Sequence, residues 1–339
     1  MKKIKLGLIG CGKQAGKHIN SINKLDVVDV YIADIKTGAA QLLAEKSNVS
    51  WVGNPDDIFS DHDIRAVLVC TPTPSHKEII QKALKAGKDV FCEKPLCTDL
   101  IEALELKEAE DRTGKSVLVG YVYRYVPIFE EGFRLMNDFQ ENYGSLVLGK
   151  PLSAYFRLGG RGSHQVWKHR KDQGGGAINE MLVHMIDLAN WYFGPFKDVE
   201  VLSNTIKCKE RLIQGRMESV DTEDFVMVRL YNGMGIEIFC QADLITPAFT
   251  QYVEIQCENG TFMGSIQQEM PSFIYMKQGR GGYDTGRTNL KFGQRNVLDI
   301  QMTYFVQKML KDQKPDRNRI EETVDLIKII EEIRSQRRR

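Results

Sequence analysis

Ile4-Lys5-Leu6-Gly7-Leu8-Ile9, followed by Gly10-Cys11-Gly12-Lys13-Gln14-Ala15, is the stretch from which the fold is read. An apolar run of strand length meets the pattern G-x-G-x-x-[GA], and Gln14–Ile22 continues with helical texture. The first glycine turns the chain tightly, and the second lets backbone approach a pyrophosphate. The small third residue brings helix and strand close together. Backbone N–H groups at the helix start then favour the anion. Asp34 ends the next apolar run, Val27–Ala33, about 20 residues on, where a carboxylate accepts hydrogen bonds from an adenosine ribose. The bland alternative for Asp34 is a strand-terminal turn. Gly10, Cys11, Gly12, Lys13, Gln14 and Asp34 are therefore expected to hold a dinucleotide. A carboxylate at residue 34 repels a 2′-phosphate, so NAD is expected in preference to NADP, with Lys36 nearby weakening that preference.

Outward from this turn, short β-branched runs alternate with helical stretches. Ala66–Cys70, Asp89–Cys92 and Ser116–Gly120 read as further strands, and Thr37–Lys46, Ser75–Ala86 and Thr98–Thr113 as helices. That alternation predicts a parallel sheet with helical crossovers, an α/β Rossmann domain over residues 1–122. Ser75-His76-Lys77-Glu78 reads as a capping box, and Thr98 as a cap for the next helix. From about Tyr123 the runs lengthen, and Asn232-Gly233 and Asn259-Gly260 are hairpin signals. Residues 123–294 are expected to form an α+β domain with a large, mostly antiparallel open sheet. One helix, Gly176–Phe193, precedes most of its strands. Residues 295–339 carry two closing helices, which the family resemblance set out below implies pack back toward the first domain.

The 339 residues suit two domains, and 42% apolar with 27% charged residues is the balance of a soluble globular protein. A net charge of +1 gives no long-range field drawing the chain to nucleic acid or membrane. No apolar run approaches the roughly 20 residues that span a bilayer. Met1-Lys2-Lys3 before the first apolar run mimics a secretory signal. Gly7 and Gly10 interrupt it, and Lys13 and Gln14 stand where small cleavage-site residues belong, so a buried strand is the better reading. The basic end, Arg334 with Arg337 to Arg339, reads as a solvated tail. Seven cysteines without a C-x-x-C pair, with Cys70, Cys92 and Cys240 in apolar runs, read as buried thiols in a reducing compartment. The cytoplasm is the expected location. Clustered Cys and His ligands are missing, so no metal is expected and a zinc alcohol dehydrogenase is disfavoured.

Three further segments point to a reaction. Cys70-Thr71-Pro72-Thr73-Pro74-Ser75-His76 ends the fourth strand and Glu93-Lys94-Pro95 the fifth. Gly174-Gly175-Gly176 leads into Glu180, His184 and Asp187. Ligands of open parallel sheets bind beyond the carboxyl ends of the strands, so the first two segments belong beside a nicotinamide. Glu180 and His184, four apart, share a helix face.

With these motifs in order, the whole chain resembles the Gfo/Idh/MocA family of oxidoreductases. The segment Gly120-Tyr121-Val122-Tyr123-Arg124-Tyr125 is similar to the family's exit from its last Rossmann strand. The resemblance implies hydride transfer between a nicotinamide and a ring carbon of a sugar, polyol or nucleotide sugar, and a homodimer or homotetramer built on the large sheet. It implies that Lys94 is the catalytic lysine, before a proline whose peptide bond is cis. His184 is then the acid/base and Glu180 the group that orients it or the substrate. Thr71, Pro72, His76, Glu93, Trp167 and Lys168 fall on the cofactor side, and Arg124, Tyr125, Arg161 and Asp187 on the substrate side. The family commonly has Asp where this chain has Glu180, and often Gly where it has Leu182, which predicts an altered pocket wall. The basic stretch Arg157, Arg161, Lys168, Arg170 and Lys171 suits an anionic substrate or a solvated loop. Two other classes stay open: a glycosidase-type enzyme that keeps NAD and oxidises transiently, and a non-catalytic dinucleotide sensor.

Overall fold

Strand β1 (Ile4–Ile9) lies at the centre of a six-stranded sheet because both of its faces are apolar. The computed structural model describes residues 3–161, 165–293 and 295–336. The chain divides into two compact units, Met1–Tyr125 with Gln294–Ile327, and Val126–Gly293 with Lys328–Arg339.

In the first unit β1 leads to α1 (Lys13–Ile22), β2 (Val28–Ala33), α2 (Thr37–Ser47), β3 (Ser50–Trp51) and α3 (Pro55–Ser60). Then follow β4 (Ile64–Val69), α4 (His76–Lys85), β5 (Asp89–Cys92), α5 (Leu100–Thr113) and β6 (Val117–Val119). The strands are parallel, in the order β3-β2-β1-β4-β5-β6. Helical crossovers cover both faces, so Leu6, Leu8, Ile32, Leu68 and Phe91 are fully buried and the strands read as continuous apolar runs. The order reverses between β1 and β4. That is the switch point at which such sheets bind ligands.

The second unit begins with α6 (Pro127–Asn137), a two-stranded ribbon of β7 (Phe139–Gln140) and β8 (Ser145–Leu146), and β9 (Pro151–Gly159). Helix α7 (Val183–Phe193) and β10 (Asp198–Thr205) follow, then a hairpin of β11 (Glu210–Ile213) and β12 (Arg216–Ser219). The remaining strands are β13 (Phe225–Tyr231), β14 (Glu237–Asp243), β15 (Thr250–Cys257), β16 (Gly260–Gly264), β17 (Phe273–Met276) and β18 (Gly286–Asn289). Eight of them form one sheet, β10-β13-β14-β9-β15-β16-β17-β18, antiparallel throughout except for the pair β14 and β9. Alternation along β13 and β15 sends Val226, Val228, Val253 and Ile255 into the core and leaves the intervening residues half-exposed. The Asn259-Gly260 signal marks a real hairpin for a different reason. A Cβ on Gly260 would collide with the Tyr275 carbonyl of the neighbouring strand.

Helix α8 (Val297–Leu310) returns to the first unit, where Met302, Phe305, Val306 and Met309 join the cluster of Leu6, Ile19 and Phe91. Arg319 then bridges antiparallel to Leu118, and Val119 donates its N–H to Asn318 O at 2.9 Å, so the chain covers the edge strand β6. Helix α9 (Ile320–Ser335) closes the chain.

Two caps differ from expectation. Ser75 Oγ donates to Pro72 O and is bonded to the Thr71 hydroxyl, both at 2.8 Å, because a tight turn over Thr73–Ser75 precedes α4 and turns the side chain backwards. The capping box does not form there. At α5 the cap is Asp99, which accepts from the Glu102 N–H at 2.9 Å, while Thr98 donates to the Glu102 carboxylate.

Candidate active site

The glycine turn is closed on one side and open on the other. Gly10 has φ +96°, and a Cβ there would lie 2.7 Å from the Cys70 carbonyl carbon. Gly12 starts α1 without a side-chain cap, and a Cβ on it would meet nothing within 4 Å. The first N–H groups of α1 therefore border a cradle that a side chain would fill, which fits a diphosphate. Lys13 is exposed beside it. Asp34 Oδ2 accepts from the Cys11 N–H and Oδ1 from the Lys36 N–H, each at 2.8 Å, so the carboxylate is fixed at the rim. Burial, and then the Asp34 charge, push the Cys11 thiol up to about 12, which keeps it neutral. Ile35, 90% exposed next to Asp34, offers an apolar face that sequence reasoning missed. No pattern separates an exposed isoleucine at a strand end from a buried one.

At the ends of β4 and β5 the sequence-picked residues hold one another. His76 is buried, with Nε2 2.8 Å from Thr71 O and Nδ1 2.9 Å from Pro95 O. Its ring thus ties the Thr71-Pro72 loop to the turn after Lys94. The Lys94–Pro95 bond is cis, and Lys94 is half-buried. Glu93 is gripped from α1: His18 Nε2 donates to its Oε1, and Gln14 Nε2 donates to the same oxygen at 3.2 Å. Burial alone would raise the Glu93 pKa. The hydrogen bond and charge of His18, the Gln14 amide and the Lys94 charge outweigh it and hold the carboxyl below its usual range. His18 escaped the sequence reading, although its spacing of four from Gln14 put both on one helix face. Arg124 is fully buried and ion-paired to Glu322 at 2.6 Å, and its carbonyl accepts from Arg317 at 3.1 Å. Tyr125 is buried under Arg317 and Tyr304. Both residues brace the first unit from within.

In the glycine triplet of the second unit, Gly175 and Gly176 serve close packing. Gly176 has φ +105°, and a Cβ there would collide with the Glu223 carboxylate. Glu223 Oε1 accepts the Ile178 N–H at 3.0 Å and its carbonyl accepts the Ala177 N–H at 2.9 Å, so it anchors the helix start. The expected single helix Gly176–Phe193 is two pieces. The turn Ile178–Leu182 is wider than an α-helix, with the Val183 N–H reaching Ile178 O, before α7 begins. Such a turn adds a residue and re-aims side chains, and these turns recur at functional sites. Glu180 lies inside it and His184 on the first turn of α7. Lys168, over the Trp167 ring, donates to Glu180. Leu182 is fully buried and Asp187 nearly so.

The basic stretch is largely spoken for. Arg157 pairs with Asp243 at 3.5 Å and Arg170 with Glu218 at 3.4 Å. Arg161 donates to the Pro247 carbonyl, and Lys168 pairs with Glu180. Among the described residues no group of three His, Cys, Asp or Glu side chains could hold a metal ion, and no helix is long and apolar enough to cross a membrane.

A six-stranded parallel sheet with an open glycine turn at its switch point, followed in the chain by a unit built on a large mixed sheet, is the architecture of a dinucleotide-dependent oxidoreductase. The family model described as "Oxidoreductase family, NAD-binding Rossmann fold" matches residues 4–121, and that of the GFO/IDH/MocA C-terminal domain matches residues 141–263. The chain belongs to the Gfo/Idh/MocA family of NAD-binding oxidoreductases. Inositol 2-dehydrogenase 3 of Saccharopolyspora erythraea is 26% identical over 275 residues, covering 79% of this chain and 74% of that protein. The inositol 2-dehydrogenase/D-chiro-inositol 3-dehydrogenase of Shouchella clausii is 27% identical over 319 residues, covering 91% and 85%. A levoglucosan dehydrogenase solved with NADH and levoglucosan shares the fold, with a TM-score of 0.85 at 19% identity over 99% of this chain and 98% of that one.

Proposed function

We propose that this protein is an NAD-dependent dehydrogenase acting reversibly on a ring CH–OH of a neutral cyclic polyol or sugar. The observation that carries the reading is the position of Lys94, at the carboxyl end of β5 and two strands from the glycine turn, in the row of strand ends where such sheets bind ligands. The inositol and levoglucosan dehydrogenases among its relatives give the substrate class.

The Gly10–Gly12 turn and the start of α1 would hold the diphosphate, Asp34 would hold the adenosine ribose, and the exposed Ile35 would offer the cofactor an apolar surface. Bound NAD supplies the acceptor for the hydride that leaves the substrate carbon. Lys94 donates a hydrogen bond to the substrate hydroxyl oxygen and stabilises the negative charge that grows there. His184 takes the hydroxyl proton, for which an imidazole is suited near neutral pH. Glu180 orients the substrate, and Lys168 keeps that carboxylate in place. A neutral substrate is favoured over a sugar phosphate or nucleotide sugar because Arg157, Lys168 and Arg170 already face carboxylates.

The test is a panel of inositols, anhydrosugars, hexoses and their phosphates with NAD and NADP, read by absorbance of the reduced cofactor. Reduction of NAD by a neutral cyclic polyol supports the reading; reduction only by phosphorylated sugars overturns its neutral-substrate part.

The protein is also a homo-oligomer in this reading. The half-exposed face of the eight-stranded sheet carries Tyr155, Phe239, Tyr252, Met263 and Phe273, an apolar surface suited to a second copy. Sedimentation of a monomer at micromolar concentration contradicts that. Seven free cysteines suit the cytoplasm.

A further inference from the structure

We propose that Arg334 and Gln336 are positioning residues for the reaction: Gln336 docks the end of α9 on the edge strand β10, and Arg334, two residues earlier, holds the widened turn that carries Glu180 and leads into His184. This rests on the roles given to Glu180 and His184 above.

The end of α9, from Lys328 onward, belongs to the second unit. Its basic residues read in the sequence as a solvated tail, yet Arg334 is engaged there and Gln336 with it. Strand β10 stands at the end of the eight-stranded order, so one of its edges meets no further strand among the described residues. The Gln336 side chain takes that edge. Its Nε2 donates to Val199 O at 2.6 Å, and its Oε1 accepts the Val201 N–H at 3.0 Å. A side-chain amide bonded to residues two apart does what a peptide group of a paired strand would do. The Gln336 backbone N–H donates to Glu332 O at 3.1 Å, which carries the helical pattern up to this docking point. The last turn of α9 is thereby fixed on the sheet edge.

From that turn Arg334 Nη2 donates to Asn179 Oδ1. Asn179 is the second residue of the widened turn Ile178–Leu182 and the neighbour of Glu180. Its Nδ2 donates to the carbonyls of Gly174 and Gly175, at 2.9 Å and 3.2 Å. A guanidinium only donates and a carbonyl only accepts, so one orientation of the amide satisfies all three partners. Asn179 therefore ties the glycine triplet to the widened turn, and Arg334 holds Asn179 in that orientation. Glu223 grips the same turn by its backbone, at the Ile178 N–H. A single wide turn inside a helix is rare on its own hydrogen bonds, and here its shape is set from outside. Arg334 is exposed, so its hydrogen bond adds little to the stability of the whole chain. Its effect falls on the placing of Glu180 and His184, where a small displacement costs turnover.

The test uses the full-length protein and two readouts. Hydrogen–deuterium exchange, read by mass spectrometry on peptides covering residues 177–184, follows the turn without any ligand. Arg334→Met and Gln336→Ala are each expected to quicken exchange there by about three- to tenfold, with the α8 peptide unchanged. Turnover is read as NAD reduction by the inositol or anhydrosugar that wild type oxidises. Arg334→Met is expected to lower kcat about tenfold, with the KM for NAD within about twofold and the thermal midpoint within about 2 °C of wild type. Arg334→Lys, which keeps a donor toward Asn179, should recover most of kcat. Arg334→Met combined with Asn179→Ala should be no slower than Asn179→Ala alone, because both act through one contact. Unchanged exchange in both Arg334→Met and Gln336→Ala overturns the proposal, as does an unchanged kcat in Arg334→Met or a double variant whose losses multiply. A thermal midpoint that falls in step with kcat makes the contact merely structural and overturns it too. Any of these results beside an inactive His184→Ala removes the inference and leaves the site as read. His184→Ala at the wild-type rate instead strikes the reading of the site, and the positioning role goes with it.

Discussion

Lys94 and His184 reach their places by different means. Lys94 leaves the end of a parallel strand, so its position follows from the order β1, β4, β5 and from the rule that binding happens at strand ends. His184 follows a widened helical turn anchored by Glu223, which arrives from a segment 45 residues away from Ile178. In the proposed site, the first unit places its lysine by topology, whereas the second places its histidine after a local departure from regular structure. Where topology governs, a short motif is readable in one dimension. Where a long-range anchor governs, the motif is still readable but the anchor and the widened turn it holds are not.

The largest effects should come from breaking either member of the pair. Lys94→Ala and His184→Ala are each expected to lower turnover by about 10²–10⁴-fold, with NAD affinity, measured by fluorescence titration, changed only a few-fold. Equal losses mark the two routes as equally good at placing a proton-handling group. A much smaller loss for His184→Ala would give the proton to another base.

The anchor of the second unit is tested next. Gly176→Ala forces a β-carbon into the Glu223 carboxylate at a positive φ and should cost about 1–3 kcal/mol. Its thermal midpoint should drop accordingly, at about 2–4 °C per kcal/mol. Unchanged melting would mean the widened turn does not depend on Glu223.

Smaller effects should follow in the first unit. Asp34→Ala removes a rim carboxylate and should raise the KM for NAD about tenfold, a loss near 1.4 kcal/mol, while narrowing the gap to NADP. Steady-state kinetics with both cofactors checks it, and an unchanged NAD to NADP ratio sinks it. Glu93 gives the smallest signal. Its folded-state carboxyl sits below the unfolded value of about 4.3, so its contribution to stability is in force above that pH and fades as pH falls through the folded value. Glu93→Gln should therefore flatten the acid side of the stability curve, read by denaturant titration between about pH 3 and 5. A slope identical to wild type would deny the ion-pair network.

These contrasts track what the residues disclosed in advance. The glycine turn, Asp34 and the Glu93-Lys94-Pro95 tripeptide were legible because each is a contiguous motif at a strand end. The closing helix α8 was visible from its pattern, and its return to the first core came from the family resemblance; the contact that seats it there, Phe305 against Phe91, has no signal in the sequence. Ser75 carried a correct cap pattern and still pointed backwards, because the tight turn before α4 offered Thr71 and Pro72 first. His18, Ile35 and Glu223 went unread for a common physical reason. Their roles come from partners or exposure that only the folded chain supplies. For the basic residues Arg157, Lys168 and Arg170, an anion site and a solvated loop stayed equally open, because the partners Asp243 and Glu218 lie on distant strands, and Glu180 a helical turn beyond the glycines.

Cofactor reduction by purified protein, with NAD and a neutral cyclic polyol, compared between wild type and Lys94→Ala, bears most directly on all of this. Wild type should form NADH in step with the ketone, and Lys94→Ala should bind NAD yet form almost none. A Lys94→Ala protein that reduces NAD at the wild-type rate would contradict the place given to that lysine.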